Sequence, residues 1–218
     1  MNNQAQAEVA VLAANRSPAS PKLLTCAIRP AGIFGEGDTQ ALPSMAEIAL
    51  TSKTNFQLGT NENLFDFTYV GNIAHAHLLA AHALLATSFL TTAPLDHEKV
   101  DGEAFIITND EPVYFWDFAR AVWKAAGKEG GTENVRVIGK EVGLALAGVM
   151  EWGMWAVGKK PTLTRRVVKY SCMVRYYDCG KAKRRLGYKP ITPLGEGIEK
   201  GVKWWLEEQK AKGEKKAQ

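Results

Sequence analysis

Apolar residues along the chain fall into two patterns that alternate with each other. Unbroken apolar runs without helical spacing, at residues 23–28 and 104–108, predict strands that are buried on both faces of a parallel sheet. Segments in which apolar residues recur every three or four positions predict helices. The predicted helices are 5–15, 43–50, 73–86 with Asn72 as its cap, 113–126, 142–157, 179–186 closed by Gly187, and 194–209. Because strands and helices alternate, the predicted class is α/β.

Two shorter segments alternate apolar and polar residues. Residues 56–59 and 65–70 have this pattern, and the polar sequence Thr-Asn-Glu-Asn separates them. This arrangement predicts two short strands around a turn. A further short strand is predicted at residues 135–138.

The exit from the strand at 23–28 is the first candidate binding segment. Pro30 cannot donate to a ladder, which predicts that the strand ends at Arg29. Gly32, Gly35 and Gly37 follow, in a loop whose backbone can approach another molecule closely. Ligands of open parallel sheets bind beyond the carboxyl ends of the strands, so this loop is a candidate cofactor site. An ordinary exit from a strand is the alternative.

Two glycine patterns invite comparison with the dinucleotide-binding fingerprint, which needs a strand, a glycine-rich turn and a helix. After the pattern at 32–37, the polar sequence 38–43 contains a proline, so we predict no helix that opens on these glycines. The pattern at 195–201 follows Pro193 and lies within the start of a predicted helix. Neither pattern is the fingerprint.

Composition narrows the class of protein. Hydrophobic residues make up 46% of the chain and charged residues 23%, as in a soluble globular protein. The net charge is +4, and basic residues cluster late in the chain without a nucleic-acid-binding motif. We therefore expect a solvated basic face and no nucleic acid, with an anionic membrane surface as the second choice.

Cysteines and histidines give no metal or disulfide pattern. The three cysteines have no CxxC spacing, which favours a reducing compartment, and the polar first residues do not resemble a signal peptide. His75 and His82 lie two turns apart on one predicted helix, too far for one zinc ion. We expect no metal site, no acid–base pair can be chosen from the scattered carboxylates, and no nucleophile elbow is present.

Residues 142–158 are the one candidate membrane element. The segment is shorter than the ~20 residues that a membrane span needs, and Glu151 lies in its middle. Trp152, Trp155 and the following Lys159-Lys160 suit a helix that lies in the membrane interface. A buried helix, or a lid over an apolar ligand, explains the same residues.

Several stretches, taken in order, resemble one family. They are 5–8 and 11–15, 29–35 (RPAGIFG), 67–70 (FTYV) with Asn72 and 74–77 (AHAH), 105–110 with Pro112, Tyr177-Asp178 with Lys181-Ala182, and 186–190 (LGYKP). The chain resembles the 3β-hydroxysteroid dehydrogenase family of extended short-chain dehydrogenase/reductases from Gln4 to about Leu206.

The resemblance implies an organisation for the chain. It would be a single carboxy-terminal portion of such an enzyme, with an incomplete NAD(P)-binding Rossmann-like domain that keeps the last parallel strands, and a small substrate-binding subdomain. The sheet-forming parts would be 1–38, 65–90 and 103–110. The substrate side would be 39–64 and 111–209, and 210–218 would be a frayed basic tail.

The resemblance also implies site residues. The family's catalytic Tyr-x-x-x-Lys should lie immediately before the first helix; its lysine position falls on Gln4 and its tyrosine position before Met1, so no catalytic residue is assigned. Pro30, Ala31, Gly32 and Ile33 resemble the loop that backs the nicotinamide ring of NAD or NADP, mostly through the backbone. Substrate contacts would come from the region after Gly35 and from the helix at 142.

The implied function is oxidation of a sterol 3-hydroxyl in sterol biosynthesis, at the cytoplasmic face of the endoplasmic reticulum. The sterol is the implied partner, with peripheral membrane contact through 142–158; a homodimer and a sterol-demethylation complex are the implied assemblies. The alternative is a non-catalytic sterol- or membrane-binding module of the same fold. Because the fingerprint and the catalytic pair have no counterpart, we expect no turnover by the 218 residues alone, and an exposed sheet edge that promotes aggregation.

Overall fold

The computed structural model describes residues 3–128, 134–159 and 161–217. Its helices are α1 (Asn3–Ala13), α2 (Ala41–Ala49), α3 (Val70–Ser88), α4 (Phe115–Ala125), α5 (Lys140–Ala156), α6 (Arg165–Ser171), α7 (Gly180–Leu186) and α8 (Leu194–Ala217), with one 3₁₀ turn at Ser52–Asn55. Its strands are β1 (Ala27–Pro30), β2 (Gly32–Phe34), β3 (Phe56–Leu58), β4 (Leu64–Phe65), β5 (Phe67–Tyr69), β6 (Ala104–Ile107), β7 (Val113–Tyr114) and β8 (Arg136–Ile138). The predicted α/β class is confirmed.

The chain divides into two compact units. Unit 1 contains the chain up to Ile33, Phe67–Glu111 and Tyr177–Leu194; unit 2 contains Phe34–Asp66, Pro112–Tyr176 and the chain from Gly195. Each unit is described by itself below.

Unit 1 is built on the parallel pair β1–β6. Ala27 pairs with Ala104 and Pro30 with Ile107. Burial alternates along β6, where Phe105 and Ile107 are completely buried. Small residues of α3 and α7 allow these helices to pack closely on the strand; the buried cluster is Ala76, Ala80, Val100, Phe105, Ile107, Ala182, Leu186 and Tyr188.

The predicted strand at 23–28 is wrong in its bounds, because β1 begins at Ala27 and includes Pro30. The N–H of Thr25 donates to the Asn15 side chain, so the backbone just before Ala27 is hydrogen-bonded as a loop. At the two ends of this ladder, the N–H of Ala27 donates to the carbonyl of Glu103 and the N–H of Ala31 to the carbonyl of Ile107. In such a ladder every second residue faces the partner strand, so the N–H that Pro30 lacks would point away from β6.

Unit 2 contains the parallel pair β3–β8 and the antiparallel pair β4–β7. The prediction that 56–59 and 65–70 form a pair around a turn is therefore wrong. Side chains of the intervening turn bind other elements: Asn61 accepts from the N–H of Trp116, and Asn63 donates to the carbonyls of Ser171 and Met173.

The ends of several helices differ from the sequence-based expectations. The basic segment after Lys210, expected to be frayed, continues α8 to Ala217, because lysine, glutamate and alanine favour helix and Glu208 pairs with Lys212 one turn later. Gly187 closes α7 with a φ of 65°, as predicted. Lys160, in the predicted interfacial segment, and Gln218, in the predicted tail, lie outside the described residues.

Candidate functional site

The carboxyl edge of the β1–β6 pair forms the candidate site. Because the two strands are parallel and Pro30 pairs with Ile107, Ala31–Ile33 and Thr108–Asp110 leave the strands at the same edge. The N–H of Ala31 donates to the carbonyl of Ile107 at 3.0 Å, which extends the ladder by one residue. The predicted loop is thus held as extended backbone.

The four candidate cofactor residues present very little side-chain chemistry. Ala31 is buried, Pro30 and Gly32 are half-buried, and Ile33 is 47% exposed. Gly32 belongs to the short strand β2, where the sequence predicted a loop. The arrangement offers backbone atoms and one exposed apolar side chain, which suits contact with a flat ring. Their role as cofactor-binding residues stays a prediction.

A buried polar hub, defined here as Asn72 with Asn109, lies behind this edge. The Asn72 amide donates to Asn109 Oδ1 and to the carbonyl of Thr192, both at 2.8 Å. Asn72 Oδ1 accepts from the N–H groups of Ile191 and Thr192, and Asn109 Oδ1 also accepts from the N–H of Tyr69. Both asparagines are at most 1% exposed.

The hub corrects the sequence-based role of Asn72. The cap position of α3 is taken by Tyr69 without a side-chain bond, and Asn72 lies inside the first turn. Sequence reasoning missed the hub because partners 37 and 120 residues away cannot be seen in a local pattern. The available signal was Asn109, a polar residue immediately after a buried strand.

Thr108 and Asp110 anchor α7 to the same edge. Tyr188, completely buried, donates its hydroxyl to the carbonyl of Thr108 at 2.8 Å. Burial is the largest cause that raises the pKa of Tyr188 above its ordinary value. Asp110 pairs with Lys183 at 2.5 Å and accepts from the Cys179 thiol, whose pKa burial also raises.

Helix α1 is tied to β1 by a two-point ion pair. Arg29 donates from Nε and Nη2 to the two carboxylate oxygens of Glu8, at 2.7 and 2.5 Å. The hydrogen bond from Arg29 lowers the pKa of Glu8. Gln4, the predicted lysine position, lies exposed in the first turn of the same helix. Its correspondence to that position stays a prediction.

The chain contains one Tyr-x-x-x-Lys spacing, at Tyr177 and Lys181. The ammonium of Lys181 is bound by Glu103 at 2.6 Å and by the carbonyl of Ala104 at 2.9 Å, and it lies 5.1 Å from the Phe105 ring centroid. These contacts attach α7 to β6. We therefore assign this lysine a structural role.

The glycine pattern at 32–37 is followed by α2, which begins at Ala41, four residues after Gly37. The predicted helix 43–50 therefore begins two residues earlier than expected, because Pro43 falls in the first turn, where a missing N–H costs nothing. The carboxylate of Asp38 accepts from the N–H groups of Gln40, Ala41 and Leu42, so it occupies the place that an anion would take.

The second glycine pattern serves packing within unit 2. A Cβ on Gly201 would lie 2.8 Å from Leu42 and 3.1 Å from the Gly35 backbone. Only glycine allows α8 to approach this closely. The pattern lies within α8, as the sequence predicted.

Helix α5 exposes apolar side chains to solvent. Trp152 is 72% and Trp155 is 78% exposed, whereas Gly143 and Ala147 are buried. Of the alternatives that the sequence left open, a helix buried on all sides does not apply to this face. Among the residues that the structure describes, no helix has both the length and the apolar character that crossing a bilayer requires.

Two solved structures with a similar fold contain bound NAD. A dTDP-glucose 4,6-dehydratase from Bacillus anthracis, solved with NAD, aligns over 94% of this chain and 51% of its own, with a TM-score of 0.56 and 14% identity. A UDP-glucose 4-epimerase from Stenotrophomonas maltophila, also solved with NAD, aligns over 96% and 54%, with a TM-score of 0.58 and 15% identity. At these identities the likeness concerns the fold alone.

Relatives of known activity are much closer in sequence. The decarboxylating sterol-4-alpha-carboxylate 3-dehydrogenase of Saccharomyces cerevisiae is 45% identical over 92% of this chain and 54% of its own length. The Schizosaccharomyces pombe enzyme is 41% identical over 95% and 57%, and the human enzyme 34% identical over 89% and 49%. The chain therefore spans about half the length of these relatives.

A family model covers the elements that build the candidate site. The model of the 3-beta hydroxysteroid dehydrogenase/isomerase family matches residues 1–136, which include β1, the hub and β6. The resemblance carried by the motifs from Gln4 onward is thereby confirmed. With its strand-edge site, its α/β fold and this match, the chain belongs to the 3-beta hydroxysteroid dehydrogenase/isomerase family.

Proposed function

We propose that the chain is the carboxy-terminal portion of an NAD(P)-dependent dehydrogenase that oxidises the 3-hydroxyl of a sterol in C-4 demethylation. The observation that carries the proposal is the 45% identity with the Saccharomyces cerevisiae sterol-4-alpha-carboxylate 3-dehydrogenase. The partner is a sterol, and the place of action is the cytoplasmic face of the endoplasmic reticulum.

In this proposal the strand edge backs the nicotinamide ring of NAD or NADP. The fit rests on Gly32, which is half-buried and has no side chain to cover its backbone, and on the 47% exposed apolar side chain of Ile33 beside it. When bound, the cofactor supplies the hydride acceptor. Ala31 keeps this edge extended through its bond to Ile107, and the Asn72–Asn109 hub fixes the backbone after β6.

Activity of the complete enzyme needs the glycine-rich turn and the Tyr-x-x-x-Lys pair of the family, which position the cofactor and move the hydroxyl proton. The test is a chimera in which this chain replaces the matching half of the Saccharomyces cerevisiae relative. We expect the chimera to oxidise a sterol 4α-carboxylate with NAD(P)H formation, and the 218-residue chain alone to be inactive.

A pair of variants examines the assigned edge within the chimera. Ile33→Asp places a polar group against the ring and should lower kcat/KM at least about tenfold, since misplacing a reactant by about 1 Å costs roughly a hundredfold. Leu95→Asp, at another exposed apolar position in unit 1, is the matched control and should retain activity. A folded but inactive chimera would contradict the proposed activity, and an unaffected Ile33→Asp variant would contradict the assigned edge.

The second candidate function is a non-catalytic sterol- or membrane-binding module, favoured by the exposed apolar face of α5. It predicts sterol or liposome binding by the chain without NAD binding. Homodimers or a sterol-demethylation complex would be the corresponding assemblies, and sedimentation of the purified chain distinguishes them.

A further inference from the structure

Two consecutive turns, each beginning with a serine and a proline, lie in the loop between α1 and β1 of unit 1. We call residues 17–23 the Ser-Pro loop. The N–H of Ser20 donates to the carbonyl of Ser17 at 2.9 Å, and the N–H of Leu23 donates to the carbonyl of Ser20 at 3.0 Å. Proline takes the second position of each turn, which its fixed φ favours. The loop is therefore ordered by its own backbone hydrogen bonds.

The Ser-Pro loop is accessible from solvent. Residues 18–23, including Ser20, are all exposed, and Ser17 is half-buried. Ser17 and Ser20 form an isolated antiparallel bridge, so their side chains lie on the same side of the loop. Exposed loop tips with small and polar residues are accessible to enzymes that act on protein chains.

A buried carboxylate holds the base of this loop. Asp101 is 1% exposed, and its Oδ2 accepts from Arg16 Nε at 2.7 Å and from the Asn15 amide at 3.1 Å. Among the described residues, Asp101 Oδ1 is buried without a hydrogen-bond partner. The Arg16 side chain is 47% exposed, so its guanidinium lies between a buried anion and solvent. The carboxylate therefore depends on a cation that a second anion could attract from the solvent side.

Arg16 also has an uncommon backbone conformation. Its φ is 47°, in the left-handed region that residues with a Cβ rarely adopt. The N–H of Arg16 donates to the carbonyl of Leu23 at 2.8 Å, which closes the loop, while its side chain binds Asp101. Such a conformation persists only where the surrounding contacts determine it. Drawing the guanidinium away from Asp101 should therefore loosen the loop and leave the buried carboxylate without its cation.

We propose that the Ser-Pro loop is a phosphorylation site for a proline-directed protein kinase, with Ser20 as the first acceptor and Ser17 as the second. The serine Oγ attacks the γ-phosphorus of ATP; the new O–P bond replaces the bond to ADP, which leaves, and the hydroxyl proton passes to solvent. A phosphoserine carries a charge of about −1.5 to −2 at pH 7 and forms charge-assisted hydrogen bonds with arginine. The phosphate then competes with Asp101 for Arg16. This inference goes beyond the proposed function and does not depend on it.

The chain contains an internal control for accessibility. Three serine or threonine residues are followed by proline, namely Ser17, Ser20 and Thr192. Thr192 is only 6% exposed, and both its N–H and its carbonyl bind the Asn72 side chain. A kinase that recognises the following proline would reach all three residues in an unfolded chain, and only the two serines in the folded chain.

The first test incubates the folded 218-residue chain with ATP and a purified cyclin-dependent kinase or mitogen-activated protein kinase, and maps the phosphate by mass spectrometry. We expect phosphate on Ser20 before Ser17, and at least about tenfold less on Thr192, because reaching Thr192 requires local unfolding. Pro21→Ala keeps the serine and should abolish its preference over Thr192, whereas Pro94→Ala, in another loop of unit 1, is the matched control. Equal incorporation at Thr192 in the wild-type chain, or no incorporation at either serine with both kinases, would overturn the proposal.

The second test examines the competition for Arg16. Phosphorylation should lower the melting temperature of the chain by at least about 4 °C, because a buried carboxylate that loses its cation is strongly destabilising. Asp101→Asn removes the competing charge, so phosphorylation should leave the melting temperature of this variant unchanged. Arg16→Gln removes the shared cation and gives the same readout if the first variant does not fold. An unchanged melting temperature in the phosphorylated wild-type chain, or an equal decrease in the variants, would overturn the competition. Because neither test contains sterol or NAD, such a failure leaves the chimera result unaffected.

Discussion

The Asn72–Asn109 hub of unit 1 and the apolar face of α5 in unit 2 reverse the usual distribution of polar and apolar groups. The hub places amide side chains where exposure is at most 1%, whereas α5 leaves two tryptophans more than 70% exposed. The hub is stable because its hydrogen bonds are made inside the protein. On the α5 face, the two tryptophan side chains stay in contact with solvent. Buried polar groups whose hydrogen bonds are made within the protein indicate a structural role. A large apolar face that stays exposed indicates a binding surface.

Removing the hub should have the largest effect on stability. Asn72→Ala leaves the N–H groups of Ile191 and Thr192 without their acceptor and removes one of the two donors to Asn109 Oδ1, and should lower the free energy of unfolding by about 3 kcal/mol or more. Urea denaturation followed by circular dichroism measures the change. Asn55→Ala is the control, since Asn55 Oδ1 is buried without a partner among the described residues. Equal losses for both variants would contradict the role of the hub.

The buried side of α5 should be the next most sensitive position. A leucine at Gly143 would press on Leu58 and Val168, within 3.2–3.3 Å of the first added carbon, and should cost about 2 kcal/mol. Gly153→Leu is the matched control on the same helix, because a Cβ there meets nothing within 4 Å. Its leucine should be neutral or slightly stabilising. A similar cost at both glycines would mean that helix propensity, and not packing against α6, sets the effect.

Tyr188→Phe should have a smaller effect that depends on pH. At neutral pH the variant loses the bond to the carbonyl of Thr108, worth about 1 kcal/mol. Burial raises the pKa of Tyr188 in the folded chain, so the unfolded chain deprotonates first as pH rises past about 10. The wild-type chain therefore loses stability above that pH through this group, and the variant does not. Unfolding curves between pH 7 and 11 that stay parallel for both proteins would refute this assignment.

The smallest effect on stability is expected on the exposed face itself. Trp155→Gln should change the free energy of unfolding by less than about 0.5 kcal/mol, because the side chain is 78% exposed. The same variant should reduce vesicle partition. A large loss of stability would mean that this face is covered by the protein and would remove the contrast between the two regions.

The sequence was sufficient for elements that depend on local pattern. The apolar run at 104–108 predicted β6, and Gly187 predicted the end of α7. Both signals lie within a few neighbouring residues: the spacing of the apolar residues, and a glycine that can adopt a positive φ. The bounds of β1 were missed because Asn15, ten residues earlier, binds the N–H of Thr25. The pairing of β3 with β8 was missed because its partners lie 80 residues apart.

The candidate site was likewise predicted only in part. Pro30–Ile33 were chosen as candidates from an apolar run followed by proline and glycine and from the family resemblance, and the family match confirms the family while their cofactor role stays a prediction. The hub behind them was not predicted, since Asn72 looked like a helix cap until Thr192 was known to be its partner. The sequence did not decide whether α5 is buried or exposed, because an apolar helix has the same composition in both cases.

Pro30 has a further effect on the edge of β1 that faces away from β6. Along that edge the N–H of Ile28 points outward, and the next outward position is Pro30, which has no hydrogen to give. An approaching strand would find a single donor where a four-residue ladder ordinarily offers two. This edge therefore has one donor fewer to offer than the aggregation-promoting edge expected from the sequence, and a second chain that paired there would depend more on the carbonyl groups of β1.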